Sequence, residues 1–453
     1  MGSSSGNRFI VRFFVIATLG LALLSIAACT KPEPPSDPPP PSVSPTPTGP
    51  AGYGGPPAPR LDWTEVWQLD RVGLETGWSA DRIGSRLVVR GSTKDDPTFM
   101  IIDAGSGKLL WDDGDLPAEL STRLGPVEPG SSGSPDGGWA GTAAMAADDG
   151  RGGVLILEYN QNSCRNDAPM CHASQQTRDG GAGLVAVSLV DRSIRWATEV
   201  TPAVKQLEGE QQAVRMDAIG ASDSVVVAMT YSTSRPTHDP GLATVAIDPR
   251  SGKRLWRTEQ VLPSRVEGDR VLALQDPVGD DRRDAAGTPV VLSGRTGAEI
   301  SRVAVKQPSV WDTVGDGLAT IFTFSDPESP ALVVDLSDGR VVLELPASPW
   351  PGQLASTSST GPVAWWYDGT NLFSRSTRDP TPLLTPLPDR YGTNPLLFAR
   401  GDHIWVQTEH GQVAYDRSGR TRSDLVSGTV LQVDEELILV VRPDGGLRLL
   451  RLT

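Results

Sequence analysis

Cysteine and histidine are scarce in these 453 residues, with three of the first and four of the second. A structural zinc site needs four such ligands close together, and only His172 lies near a cysteine, so no metal is expected on this ground. Helix signals are few as well. Between Leu61 and Thr453, apolar residues rarely recur at three- and four-residue spacing, which argues against a helical body. That region also lacks a Gly-x-Ser-x-Gly elbow, a phosphate-binding loop and a His-Glu-x-x-His pair, so the common hydrolase, nucleotide and metalloprotease chemistries have no foothold. Basic residues number 41 against 55 acidic ones, a formal net charge of −14. Such a surface repels phosphate backbones and favours cationic or neutral partners, and nucleic acid is not expected among them.

Long apolar runs are missing with one exception, the stretch from Phe13 to Ala28, which is too short to span a bilayer comfortably. Arg8 and Arg12 precede it, with no acidic residue. Its end, Leu23-Leu24-Ser25-Ile26-Ala27-Ala28-Cys29, resembles the lipobox of bacterial lipoproteins. The resemblance implies a signal peptide over residues 1–28, cleavage before Cys29 and a lipid on the Cys29 thiol. An ordinary secretory signal cut after Ala28 is the alternative. Both readings make the chain extracytoplasmic, and the first anchors it to the outer face of the cell membrane. Met1 to Gly6 resembles a tag remnant and carries no argument. Residues 29–60 read as a stalk, because 13 of the 31 residues from Thr30 to Arg60 are proline and almost none can build a core. In polyproline geometry, at about 3.1 Å per residue, it reaches up to roughly 90 Å. Loss of the two leader arginines leaves 39 basic and 55 acidic residues, a charge of −16, so the lipid rather than electrostatics would hold the protein at the membrane.

Lipidation of Cys29 leaves an even pair, Cys164 and Cys171, in a polar stretch. In an oxidising compartment they are expected to form a disulfide, stabilising by about 2 to 3 kcal/mol in the chain-entropy model. Haem attachment is excluded by spacing, since it needs two residues between the cysteines and here there are six.

The remaining residues, 61–453, are rich in Gly, Pro, Asp, Ser, Thr and Val. Short apolar runs such as Leu87-Val88-Val89, Val225 to Met229, Leu332-Val333-Val334 and Leu437 to Val441 recur between turn formers, the pattern of an all-β body. The runs are contiguous rather than alternating, so many strands are expected to be covered on both faces, as in stacked sheets.

Internal repeats sharpen this. Ile101-Ile102-Asp103-Ala104-Gly105-Ser106-Gly107-Lys108-Leu109-Leu110-Trp111 has a near copy in Ala246-Ile247-Asp248-Pro249-Arg250-Ser251-Gly252-Lys253-Arg254-Leu255-Trp256. Weaker copies run from Ala186 to Trp196, through Ser293 with Thr296-Gly297, through Asp335 with Asp338-Gly339, and through Ser374 and Asp416. From Ser188 onward the spacing settles near about 42 residues, which suits a four-stranded propeller blade. The frame Asp-x-x-[Ser/Thr]-Gly-x-x-x-Trp resembles the repeat of quinoprotein-like (PQQ-type) β-propellers over essentially all of residues 61–453. The resemblance implies that the glycine turn joins the two outer strands of a blade and that the tryptophan docks on the neighbouring blade. Eight four-stranded blades are expected, with seven as the alternative. The isolated strand Thr64 to Leu69 is expected to complete the last blade, which otherwise has only three strands. The double interval between Asp103 and Ser188 reads as one blade enlarged by loops at Gly114 to Gly138 and Asn160 to Gly183.

The same family contains quinone- and calcium-dependent dehydrogenases with an adjacent-cysteine disulfide. No adjacent pair occurs here and none of their ligands maps onto this chain, so neither a catalytic residue nor a cofactor is expected; such an enzyme and a ligand-sensing receptor stay as alternatives. Asp276, Asp280, Asp281 and Asp284, interrupted by Arg282 and Arg283, read as a solvated loop rather than a calcium site, as do Asp112, Asp113 and Asp115. Trp365-Trp366-Tyr367 reads as inter-blade packing rather than a ligand platform. The expected role is therefore a non-catalytic binding or scaffold protein whose partner is a cell-envelope protein or a small ligand, engaged through loops around Cys164 to Cys171, where a disulfide would pre-organise recognition or protect the loop. The architecture resembles the lipoprotein scaffold of the outer-membrane β-barrel assembly machine. The composition resembles actinobacterial chains, whose envelope has no such machine, so the resemblance implies architecture and not that task.

Overall fold

The computed structural model describes residues 61–70, 72, 76–92, 97–120, 127–128, 144–164, 176–201, 215–231, 242–278, 285–315, 317–323, 329–345, 353–357, 361–367, 371–376, 383–386, 395–400, 403–408, 411–417, 419–434 and 436–452. All of them belong to one compact unit, Gly49–Thr453. The leader, Cys29 and the whole stalk lie outside the described residues, as does Cys171. Helix among the described residues is confined to a 3₁₀ turn at Asp113–Asp115 and one further turn at 118–120.

The strands pair antiparallel into eight groups in chain order. The first sheet holds β2 (Thr76–Ile83), β3 (Arg86–Ser92), β4 (Pro97–Asp103) and β5 (Leu109–Asp112). The second holds β6 (Val127–Glu128), β7 (Met145–Ala147), β8 (Val154–Cys164), β9 (Gln176–Ser188) and β10 (Ile194–Thr201). The third runs β11 (Arg215–Ala221), β12 (Val226–Tyr231), β13 (Ala243–Ile247), β14 (Arg254–Glu259). The fourth is β15 (Val261–Glu267), β16 (Arg270–Val278), β17 (Ala286–Ser293) and β18 (Glu299–Arg302), and one bridge, Gly287 to Ser309, links it to the fifth. That fifth sheet is β19 (Ser309–Gly315), β20 (Leu318–Thr323), β21 (Ala331–Asp335) and β22 (Val341–Leu345). The sixth is β23 (Gln353–Thr357), β24 (Gly361–Tyr367), β25 (Asn371–Ser376) and β26 (Leu383–Pro386), and the seventh β27 (Leu396–Arg400), β28 (His403–Thr408) and β29 (Gly411–Asp416). The eighth, β30 (Thr429–Gln432), β31 (Leu437–Val441) and β32 (Leu447–Leu452), takes β1 (Trp63–Leu69) as its fourth strand, with Trp63 opposite Leu452 and Leu69 opposite Leu447.

Neighbouring sheets touch through their first strands: β2 packs on β7, β7 on β11, β11 on β15, and so on through β19, β23 and β27, while β29 meets β30 and β30 meets β2. The ring therefore closes, and the first strand of each sheet is its innermost. The contiguous apolar runs follow from this stacking, because successive side chains of a strand point to opposite faces and both faces are covered. In the first sheet Leu87 and Val89 face Leu439 and Leu449 of the eighth, whereas Val88 faces Leu155 and Val187 of the second. Val226 and Ala228 pack toward the second sheet, and Val225, Val227 and Met229 toward the fourth. The architecture is a closed β-propeller.

Two features of the second sheet differ from the sequence reading. The span Asn160 to Gly183 is not all loop: β8 and β9 stay paired out to Cys164 opposite Gln176, past an irregularity between Asn160 and Asn162. And β6 and β7 are one innermost strand in two pieces, pairing with Glu158–Tyr159 and Val154–Ile156 of β8, with residues 129–144 inserted between them.

Candidate functional site

The two ends of the ring differ. At one end lie the connections from first to second and from third to fourth strands, and in the first, second, fourth and fifth sheets the two are tied to each other. Ala104 N donates to Ser85 O (2.8 Å), Leu189 N to Gly153 O (3.0 Å), Gly294 N to Asp269 O (2.6 Å) and Leu336 N to Gly317 O (2.9 Å). The strands that precede connections from second to third strands and from sheet to sheet end on the other side; in sequence the longest of these connections are 113–126, 202–214, 417–428, 165–175 and 232–242, four of the five in the first three sheets.

The repeat residues build the short-turn end. Asp103 Oδ1 accepts from Ser106 N (2.8 Å) and Ser106 Oγ (2.6 Å), while Gly107 N donates back to Asp103 O (2.9 Å). Asp248 accepts from Arg250 N and Ser251 Oγ, and Asp335 from Ser337 N and Oγ, in the same way. At Ser293 the hydroxyl takes Thr296 N (3.3 Å) instead. These bonds lower the Asp103 carboxyl below its ordinary range; at Asp335 burial opposes the Ser337 bonds, and the net direction is still downward. Gly107, Gly252, Gly297 and Gly339 all have φ between 70° and 73°, the left-handed region that glycine enters without cost.

Three of these four turn glycines carry the tryptophan of the preceding sheet. A Cβ on Gly107 would sit 2.8 Å from the Trp67 indole, one on Gly252 2.7 Å from Trp196, and one on Gly297 2.8 Å from Trp256. The indole N–H groups donate across the same seams: Trp67 to Ala104 O (2.9 Å), Trp196 to Pro249 O (2.8 Å), Trp256 to Gly294 O (2.7 Å). Trp111 reaches Leu189 O at 3.3 Å, and its turn holds Arg192 at φ 62° where the others have glycine. The bond is longer than those of Trp67, Trp196 and Trp256, at the turn whose left-handed residue carries a Cβ. At Gly339 the docking position belongs to Ser301, and there Trp311 of β19 fills the seam instead, donating to Ala273 O (2.8 Å). Trp366, stacked on Phe373, packs between the fifth and sixth sheets, Trp365 and Tyr367 between the sixth and seventh, and Trp405 between the seventh and eighth. An indole therefore sits in every seam, but from Trp311 onward it comes from a first or second strand, where the turn motif gives no signal.

The inner strands carry a line of carboxylates. Arg90 pairs with Asp81 and donates to Ala144 O (2.7 Å), the Glu158 carboxylate takes the Ala218 N–H (2.5 Å), Tyr231 OH reaches Asp217 (3.3 Å) and Thr320 Oγ1 reaches Asp312 (3.3 Å). Burial, with Glu199 nearby, pushes the Tyr159 phenol up to about 12. The acidic knot after Trp111 is structural: Asp112 Oδ1 caps Gly114 N (3.0 Å), Asp113 takes Thr98 Oγ1 (2.8 Å) and Asp115 faces Arg192 (3.5 Å). Asp276 sits in β16, and Asp280, Asp281 and Asp284 lie outside the described residues. Among the described residues no three His, Cys, Asp or Glu side chains converge on a point a metal ion would occupy. Cys164 ends β8.

No family model matches the chain, and no curated protein matches it significantly. Solved structures similar to it include BamB from Moraxella catarrhalis, 13% identical over 86% of this chain and 100% of that one with a TM-score of 0.47. The Dos1 propeller is 8% identical over 86% and 95% with a TM-score of 0.49, and the computationally designed Ika8 protein 14% identical over 85% and 99% with a TM-score of 0.45. The fold itself is read from strand order, seam packing and the β1–β32 closure.

Proposed function

We propose that this chain is a lipid-anchored extracytoplasmic eight-bladed propeller that binds a cell-envelope protein or a small ligand at its long-loop end and performs no chemistry of its own. The observation that carries the reading is the asymmetry of the ring. In the first, second, fourth and fifth sheets the turns at one end are locked to one another, whereas the strands leading into the long connections, four of the five longest in the first three sheets, end on the other side, as does the β8–β9 hairpin that outgrows its sheet. Loops positioned by a rigid frame are where propellers present recognition surfaces. The eight strand groups support the blade number. Cys29 carries the lipid, and Cys164 and Cys171 are bridged within the outgrown hairpin.

The experiment is crosslinking and capture from intact cells. Asn160 and Ala182 are register partners, so a two-residue turn can replace residues 161–181 without disturbing the sheet. The variant keeps the wild-type far-UV spectrum and loses the captured partner. An unchanged captured set, or quinone-dependent dye reduction by the purified chain with added calcium, overturns the reading. Cys29→Ala moves the protein from the membrane to the soluble extracytoplasmic fraction.

A further inference from the structure

We propose that the seventh sheet is the sector at which the ring opens locally, ahead of the other seams. Three observations converge on it. The buried charged side chains among the described residues are Asp149, Asp416, Arg417 and Arg422; Asp416 ends β29 and the two arginines follow it in the segment that covers this sheet, which also holds the buried His403 and Gln412. Ion pairs and amides inside a seam contribute less than apolar packing of the same volume, because their desolvation offsets their attraction. The seams on either side also have the indoles that give up their hydrogen bonds. Trp67, Trp111, Trp196, Trp256 and Trp311 all donate to a carbonyl of the adjoining sheet, whereas the buried N–H groups of Trp365 and Trp405 make no hydrogen bond, nor does the buried Ser374 hydroxyl opposite Trp365. The sheet finally has no regular fourth strand. In its place the segment after Gly419 covers β29 through the bridges Tyr415 to Thr421 and Gln412 to Val426, with Gln412 N to Val426 O (2.8 Å), Val426 N to Gln412 O (2.9 Å), Arg422 N to Ala414 O (2.7 Å) and Asp416 N to Arg420 O (3.0 Å), and at Ala414 the Ser423 hydroxyl replaces a ladder carbonyl (2.9 Å).

Indole hydrogen bonds are thus missing from both seams of the sheet that also gathers the buried charges and lacks a regular fourth strand. Local opening draws on the elements whose bonding is least complete. The start of β1 also touches this sector, with Trp63 against Trp405 and Leu61 N donating to Arg422 O (2.7 Å), so an outward excursion of β27–β29 breaks those contacts while the eighth sheet stays joined to the first.

Hydrogen exchange by mass spectrometry on the full chain at neutral pH tests this. The central strands β28 and β29 exchange at least about tenfold faster than their counterparts β12 and β13, a ratio equal to one hydrogen bond's worth of protection. Two substitutions separate the cause from general fragility. Trp196→Phe removes a bonded N–H and speeds exchange in β12–β13 about tenfold, whereas Trp405→Phe removes an unbonded one and changes β28–β29 by less than about threefold. Equal protection of the two strand pairs, or an equal response to the two substitutions, overturns the proposal.

Discussion

The contact between Trp196 and Gly252 lends itself to a double-mutant cycle. Trp196 is 8% exposed, donates to Pro249 O at 2.8 Å and lies against Gly252, where a Cβ would come within 2.7 Å of the ring. Trp196→Ala removes the ring and leaves a void between the second and third sheets, at a cost of about 4 kcal/mol. For a body of this size that lowers Tm by roughly 5 °C. Gly252→Ala carries two penalties in the wild type. The left-handed backbone costs about 1 kcal/mol for a residue with a Cβ, and the forced shift of the indole about 2 kcal/mol more. With the ring gone only the first penalty survives. The double variant should therefore be about 2 kcal/mol more stable than the sum of the singles predicts, read as urea midpoints by far-UV circular dichroism. Additivity within about 0.5 kcal/mol would refute the docking of a tryptophan on the turn of the next sheet.

Arg192→Gly should stabilise by about 1 kcal/mol, because it relieves the positive φ and lets Trp111 approach Leu189, while the half-exposed pair with Asp115 is worth little; a loss of stability would count against the account of the long Trp111 bond. Acid should weaken the turns together: the Asp103, Asp191, Asp335 and Asp434 carboxyls are all lowered in the folded state, so the stability they add is complete above the ordinary carboxylate range and is lost as pH falls through their depressed values. The Tm of the wild type should drop below about pH 4, and less steeply in a variant with Asp103→Asn and Asp335→Asn. Deleting residues 61–69 exposes the free edge of β32 and should yield an aggregating chain on size exclusion; a monomer with native melting would show that β1 is dispensable.

The part of this fold that the sequence makes legible is the part written in residues with no substitute. A turn that needs a left-handed residue demands glycine, and the amides around it demand Asp or Ser, so Asp103 to Trp111 and Asp248 to Trp256 are visible as copies. The lone strand Thr64 to Leu69 is visible because a three-stranded remainder requires it. Trp311 and Trp405 are not, since a seam asks only for a large apolar body, and a first or second strand can supply it as well as a fourth. The extended pairing of β8 and β9 was hidden by its polar sequence, which reads as loop even where backbone ladders continue. The candidate site is legible only as length: long connections mark an end of the ring, and nothing in their composition names what they hold.

The bond between β1 and β32 also sets an order of events. Trp63–Leu69 is synthesised early and its partner, Leu447–Leu452, hundreds of positions later. Until that late segment has been made, the early strand has no mate, and a prematurely terminated product can never seal. Sealing therefore distinguishes finished molecules from fragments, and any protease that recognises unmated edges would clear the fragments first.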